Sequence, residues 1–135
     1  GREQLYQVVD QIPPIYNRLI DTFWPGPLTL VCPARCTVPL QLTGNTGTVG
    51  VRWSPSETAN QLIGAFGGPI TATSANRSGF PAAVSAEEAA RIFDGEVDLI
   101  LDGGQTPGGS GSTLVGLRGL SLRCLREGKI AGDRE

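Results

Sequence analysis

An α/β or α+β domain, with a twisted mixed sheet flanked by helices, is the fold this sequence predicts. Three observations carry the prediction. Amphipathic helical stretches alternate with short apolar runs through the middle of the chain. Further apolar runs cluster near its end, and glycine and proline punctuate segment ends rather than forming a low-complexity block. The 135 residues suit one domain, spanning 1–135, around one hydrophobic core.

Taken in order, residues 14–23 (PIYNRLIDTF) place Ile15, Leu19, Ile20 and Phe23 on one helical face, with Pro14 tolerated in the first turn. WPGPLTLVCP then turns a corner and enters a strand over residues 28–32. The aromatic pair Phe23-Trp24 beside the prolines locks that corner into the core. Residues 46–53 (TGTVGVRW) read as a second strand, their glycines hinting at close backbone approach. Ser54-Pro55-Ser56-Glu57 has the form of a capping box with proline at the first helical position. It opens a helix to about Phe66 that Gly67-Gly68 ends. Residues 69–73 are expected as a strand, and Ser85-Ala86-Glu87-Glu88 caps a helix running through Phe93. The nearly all-apolar run 97–101 is expected as a strand ending in Asp102-Gly103-Gly104. Beyond a glycine-rich loop, residues 112–115 and 120–125 read as two more short strands. The polar, glycine-rich segments fall mainly after strands, where α/β sheets collect ligands.

Composition removes several function classes. A net charge of −2 does not favour indiscriminate nucleic-acid binding, although a local basic patch stays open. No apolar run approaches a membrane span and residues 1–11 lack an apolar leader, so a cytoplasmic location is expected. Cys32, Cys36 and Cys124 cannot all pair and form no C-x-x-C, which fits free thiols without a metal role. Histidine is absent. That excludes Ser-His-Asp and Cys-His catalysis and every histidine-containing zinc site, leaving positioning, hydroxyls, carboxylates and cations.

Three segments have residues suited to chemistry. In PITATSANRSGFP, Ser and Asn groups after a strand suit phosphate or carboxylate oxygens, with Gly79 allowing close approach. A turn that satisfies its own backbone is the commoner use of such residues. The segment 102–113 (DGGQTPGGSGST) lacks the lysine of a Walker A loop, and a surface loop is its plainer reading. Arg52 stands in an otherwise apolar run. An unpaired buried guanidinium is costly, so an anion is expected beside it, from the protein or a substrate. Arg126 ends a strand and reads equally as a solvated surface charge.

FWPGPLTLV, TVGVRW, PITATSANRSG, DLILDGG, GSTLV and CLREG, in this order, resemble the YrdC/TsaC family of threonylcarbamoyl-adenylate synthases over about residues 15–130. The resemblance implies a YrdC-like (DHBP synthase-like) fold. It also implies synthesis of threonylcarbamoyl-AMP from L-threonine, bicarbonate and ATP, with Mg²⁺ and release of pyrophosphate. A threonylcarbamoyl transferase complex acting on tRNA position 37 is the implied partner. By the same resemblance Thr48, Ser74, Asn76 and Arg126 meet ATP, while Arg52, the Ala72 backbone and Ser112 border threonine. No residue is singled out as a catalytic acid or base or as a metal ligand. The chain departs from the family pattern in lacking the basic Lys-x-Arg motif: its one lysine is Lys129, and Ala82 stands where relatives often have Ser. An N-terminally truncated form is therefore expected, its sheet lacking the first strands, with a second copy as one way to complete it. An RNA-binding module (double-stranded RNA included) and a non-catalytic fragment are the alternatives.

Overall fold

The computed structural model of the protein describes residues 1–131, and in it the run LTLVCP forms strand β1 (Leu28–Pro33). Leu28, Leu30 and Cys32 are buried, whereas Thr29, Val31 and Pro33 are half-buried, the period of two of a strand with unlike faces. Strand β2 (Thr48–Val51) runs antiparallel to β1 on one side, pairing Leu30 with Val51 and Pro33 with Thr48. Strand β3 (Thr113–Arg118) runs parallel to β1 on the other, pairing Leu28 with Thr113 and Leu30 with Val115. Strand β4 (Ser121–Arg126) closes the sheet antiparallel to β3, giving the order β2-β1-β3-β4. The mixed sheet expected from the sequence is present.

One face of this sheet is packed. The 3-10 turns Arg2–Gln7 and Pro14–Tyr16 and helix α1 (Asn17–Phe23) bring Leu5, Val9, Tyr16, Ile20 and Trp24 against Leu28, Leu30, Cys32 and Val51. Ile20 is buried as the helical spacing predicts, but Ile15 is exposed. The tighter 3-10 turn at residues 14–16 changes the phase and gives the inward place to Tyr16. Both buried aromatics carry a polar tip that must be satisfied. Tyr16 donates to the Val31 carbonyl at 2.7 Å, and the Trp24 indole donates to the Leu28 carbonyl at 2.7 Å. The corner between α1 and β1 requires its glycine, because a Cβ at Gly26 would lie 2.1 Å from the Phe23 carbonyl oxygen.

Helix α2 (Leu40–Thr43) is a single turn, and α3 (Glu57–Phe66) and α4 (Ala86–Ile92) are the capped helices foreseen. Ser85 Oγ accepts from Glu88 N while Glu88 Oε2 accepts from Val84 N. Gly67 ends α3 with φ of 85°, a left-handed conformation that favours glycine. The α3 cap is Ser56 rather than Ser54: Ser56 Oγ accepts from Ala59 N, and Ser54 Oγ instead accepts from Ser56 N.

The chain divides into two compact units, one made of Gly1–Ile70 with the segment beginning at Gly111, the other of Thr71–Ser110. The sheet belongs wholly to the first. The strands expected at 69–73 and 97–101 do not form. Apolar character alone does not make a strand; a ladder partner is needed, and among the described residues neither run has one. Their side chains are open to solvent instead, Leu99 being 75% exposed.

Candidate functional site

Opposite the packed face, the sheet presents a second face lined by the alternate residues of each strand. On β1 these are Thr29 and Val31; on β3, following the register Thr29 to Leu114, they are Leu114 and Gly116, with Ser112 one step before. On β2, a Cβ at Gly50 would meet Thr29 Cγ2 at 3.2 Å and Leu114 Cδ1 at 4.0 Å, so Gly50 lies on this face too. Thr48 and Arg52 flank Gly50 two residues away on either side and share its face by alternation.

Arg126 reaches the same face through an irregularity in β4. The ladder pairs Val115 with Cys124 but Leu114 with Arg126, so Leu125 is an extra residue. Without that bulge, Arg126 would stand opposite Thr113 on the core side. With it, Arg126 Nη2 donates to the Ser112 carbonyl at 3.1 Å and to Ser112 Oγ at 3.3 Å. The following residues fasten this arrangement. Lys129 N donates to the Gly111 carbonyl at 3.0 Å, while Ile130 N donates to Thr113 Oγ1 and the Ile130 carbonyl accepts from it. A Cβ at Gly128 would lie 2.3 Å from the Gly111 oxygen, so this close approach requires glycine.

The hydroxyls on the face are ordered by their neighbours. Ser112 Oγ lies 2.7 Å from Thr29 Oγ1. At the other end, Thr46 Oγ1 donates to the Thr43 carbonyl at 2.6 Å and lies 2.7 Å from Thr48 Oγ1. With the Thr46 proton so used, the Thr48 hydroxyl donates to Thr46 and keeps its lone pairs for a ligand. Arg52 departs from expectation. It follows the last residue of β2, is exposed, and has no hydrogen bond or ion pair among the described residues, so it needs no protein anion. Its guanidinium is free to meet a dissolved one.

In the unit Thr71–Ser110, Ala72 and Ser74 are exposed, and the segment folds on itself around Asn76. Asn76 Nδ2 donates to the Arg77 and Phe80 carbonyls, each at 3.0 Å, and Asn76 N donates to the Ser74 carbonyl. The turn reading is correct for that half of the side chain. The other half differs: Asn76 Oδ1 is buried with no hydrogen-bond partner among the described residues. An unsatisfied buried acceptor costs about 1–3 kcal/mol. Arg77 pairs with Glu96, but both side chains are about half exposed and the pair contributes little.

Cys32 is a core residue: burial pushes its thiol up to about 11, away from the reactive thiolate. The three cysteines are free, and no cluster of three His, Cys, Asp or Glu residues able to hold a metal occurs among the described residues. No helix among them is long and apolar enough to cross a membrane. Thr29 and Thr46 are the members of the site that sequence reasoning missed. The alternation of LTLVCP is the signal that puts Thr29 opposite Leu28 and Leu30.

Comparison with known proteins places these features in context. The family model described as Sua5_yciO_yrdC, telomere recombination, matches residues 1–128. A threonylcarbamoyl-AMP synthase of Pyrococcus abyssi is 43% identical over 128 residues, which cover 95% of this chain and 38% of that protein. The crystal structure of P. abyssi Sua5 complexed with L-threonine superposes with a TM-score of 0.88 at 42% identity, again over 95% of this chain and 38% of that one. Escherichia coli YciO superposes with a TM-score of 0.82 at 26% identity, over 96% of this chain and 63% of that one. The chain thus spans under two fifths of the Pyrococcus relative.

Proposed function

This chain belongs to the Sua5/YciO/YrdC family, and on that premise we propose that it forms threonylcarbamoyl-AMP from L-threonine, bicarbonate and ATP. Pyrophosphate leaves, and the product passes to a transferase complex that places the threonylcarbamoyl group on adenosine 37 of tRNA. The observation that supports this reading most directly is the gathering of Thr48, Arg52, Ser112 and Arg126 on the one open face of the sheet. A structural relative sharing this fold is complexed with L-threonine. The family match runs through both compact units, which we take as one YrdC-like domain working in the cytoplasm.

The chemistry asks little of a proton-transfer residue. Bicarbonate takes up a proton and loses water to give carbon dioxide. The deprotonated threonine amine attacks it and releases a proton, and the resulting carbamate oxygen attacks the α-phosphorus in line with departing pyrophosphate. Alignment and charge stabilisation carry such a step, so the absence of histidine is no obstacle. Arg52 takes the threonine carboxylate, a pairing its unpartnered guanidinium favours. Ser112 and the Ala72 backbone border the same amino acid. Arg126 and Thr48 face ATP, and so do Ser74 and Asn76, whose unsatisfied Oδ1 accepts from a nucleotide donor. The described residues make no metal cage. Mg²⁺ would be held with the phosphates of ATP rather than by a cage of side chains, and would neutralise part of their charge.

The test is to incubate the chain with ATP, labelled bicarbonate and L-threonine and to assay threonylcarbamoyl-AMP by mass spectrometry. Label in the adenylate, dependent on L-threonine, is the expected result. No product from a folded chain shown to bind both ATP and L-threonine would refute the reading.

A further inference from the structure

Thr29 joins the two groups of candidate residues on the open face. Its hydroxyl is 2.7 Å from Ser112 Oγ, on the side of Arg126. Its methyl lies 3.2 Å from the position of a Cβ at Gly50, on the side of Thr48 and Arg52. Thr29 pairs with Leu114 in the β3 ladder, and its neighbour Leu30 pairs with Val51 of β2, so Thr29 has little freedom to move.

Either hydroxyl can donate in this contact, and the two directions leave the Ser112 proton in different places. The Arg126 guanidinium can only donate, and it does so to Ser112 Oγ at 3.3 Å, using one of two lone pairs. Thr29 Oγ1 has no other hydrogen-bond partner among the described residues. When Thr29 donates to Ser112, both serine lone pairs are occupied and the single Ser112 proton must point away from Thr29 and Arg126. A hydroxyl presented in this way selects an acceptor and disfavours a donor.

We propose that Thr29 is a positioning residue that, together with Arg126, fixes the Ser112 hydroxyl as a donor to an anionic oxygen of the amino-acid substrate. The proposal rests on the reading of Ser112 as a threonine contact. Gly50 belongs to the same device: a side chain there would press on the Thr29 methyl and crowd the surface beside Ser112.

The experiment compares Thr29→Val, which keeps the shape and removes the hydroxyl, with Thr29→Ser, which keeps the hydroxyl. Steady-state assays give kcat and separate apparent KM values for L-threonine and ATP. NMR three-bond couplings give the Ser112 χ1 rotamer in each protein. Losing one ordered hydrogen bond predicts a rise in the L-threonine KM of about tenfold for Thr29→Val. The ATP KM and kcat stay within about twofold, and Thr29→Ser recovers the L-threonine KM. Ser112 holds one rotamer in the parent and averages between rotamers in Thr29→Val. Equal effects of the two substitutions, or parallel changes in both KM values, would overturn the proposal. Should the parent form no product, the functional reading fails by itself. The rotamer then still decides the role of Thr29: one fixed Ser112 rotamer in Thr29→Val contradicts it.

Discussion

The Arg126 guanidinium donates to both the carbonyl and the hydroxyl of Ser112, at 3.1 and 3.3 Å, across the start of β3. It does so because the Leu125 bulge turns the end of β4 by one side-chain position. A single extra residue therefore decides whether a cation faces the core or the open surface. The same contact leaves part of the guanidinium for a ligand, since arginine has five N–H donors in a planar fork.

Arg126→Ala should raise the apparent KM for ATP at least about tenfold, the usual effect of losing a charge-assisted hydrogen bond. The L-threonine KM should rise less, through the loosened Ser112. Arg126→Lys should recover little, because an ammonium lacks the fork geometry. Steady-state kinetics with each substrate varied in turn checks this; a variant with an unchanged ATP requirement would remove Arg126 from the nucleotide site.

Arg52→Ala is expected to separate function from stability. Its guanidinium is exposed and unpartnered among the described residues, so the change in unfolding free energy should stay within about 0.5 kcal/mol. The L-threonine requirement should nevertheless rise by about tenfold or more through loss of the carboxylate partner. Denaturant titration and kinetics on the same preparation measure both.

Trp24→Phe should be costly without touching the open face. It leaves the Leu28 carbonyl without the indole donor at 2.7 Å and opens space in the core. A loss of about 2–3 kcal/mol, read from the denaturation midpoint at constant slope, is expected.

Alkaline pH should weaken the fold in two steps. Burial raises the Cys32 thiol from 9.0 to about 11, and burial, then the nearby Cys32, raises the Tyr16 phenol from 10.0 to about 12. Both groups favour their neutral form in the folded state. Their contribution is therefore full below about pH 9 and is lost as pH climbs through about 11 and about 12. Denaturation midpoints across this range should fall accordingly, and Cys32→Val should remove the earlier part of the decline.

Local signals in the sequence were sufficient wherever structure is local. The Ser85 cap, the Gly67 stop and the alternating burial of β1 all follow from neighbouring residues. The runs 69–73 and 97–101 failed as strands because pairing is a long-range property: their composition says nothing about whether a ladder lies beside them. Arg52 falls outside its expected strand for a related reason, since β2 ends at Val51, two residues before the apolar run does. The bulge at Leu125 and the Thr29 contact to Ser112 join residues far apart in sequence, 83 positions in the latter case, and no spacing rule reaches them. The orphaned Asn76 Oδ1 was equally hidden, because a turn and a ligand site use the same residue type.

On the proposed function, the open face of the sheet receives the amino acid. Titrating isotopically labelled protein with L-threonine and following backbone amide shifts tests it most directly. Saturable shifts concentrated at Gly50, Arg52, Ser112 and Arg126, with the core residues Leu5, Val9 and Ile20 unmoved, are expected. Saturable shifts that avoid the open face, for example confined to the hollow lined by Trp53, Asn60 and Gly64, would contradict it.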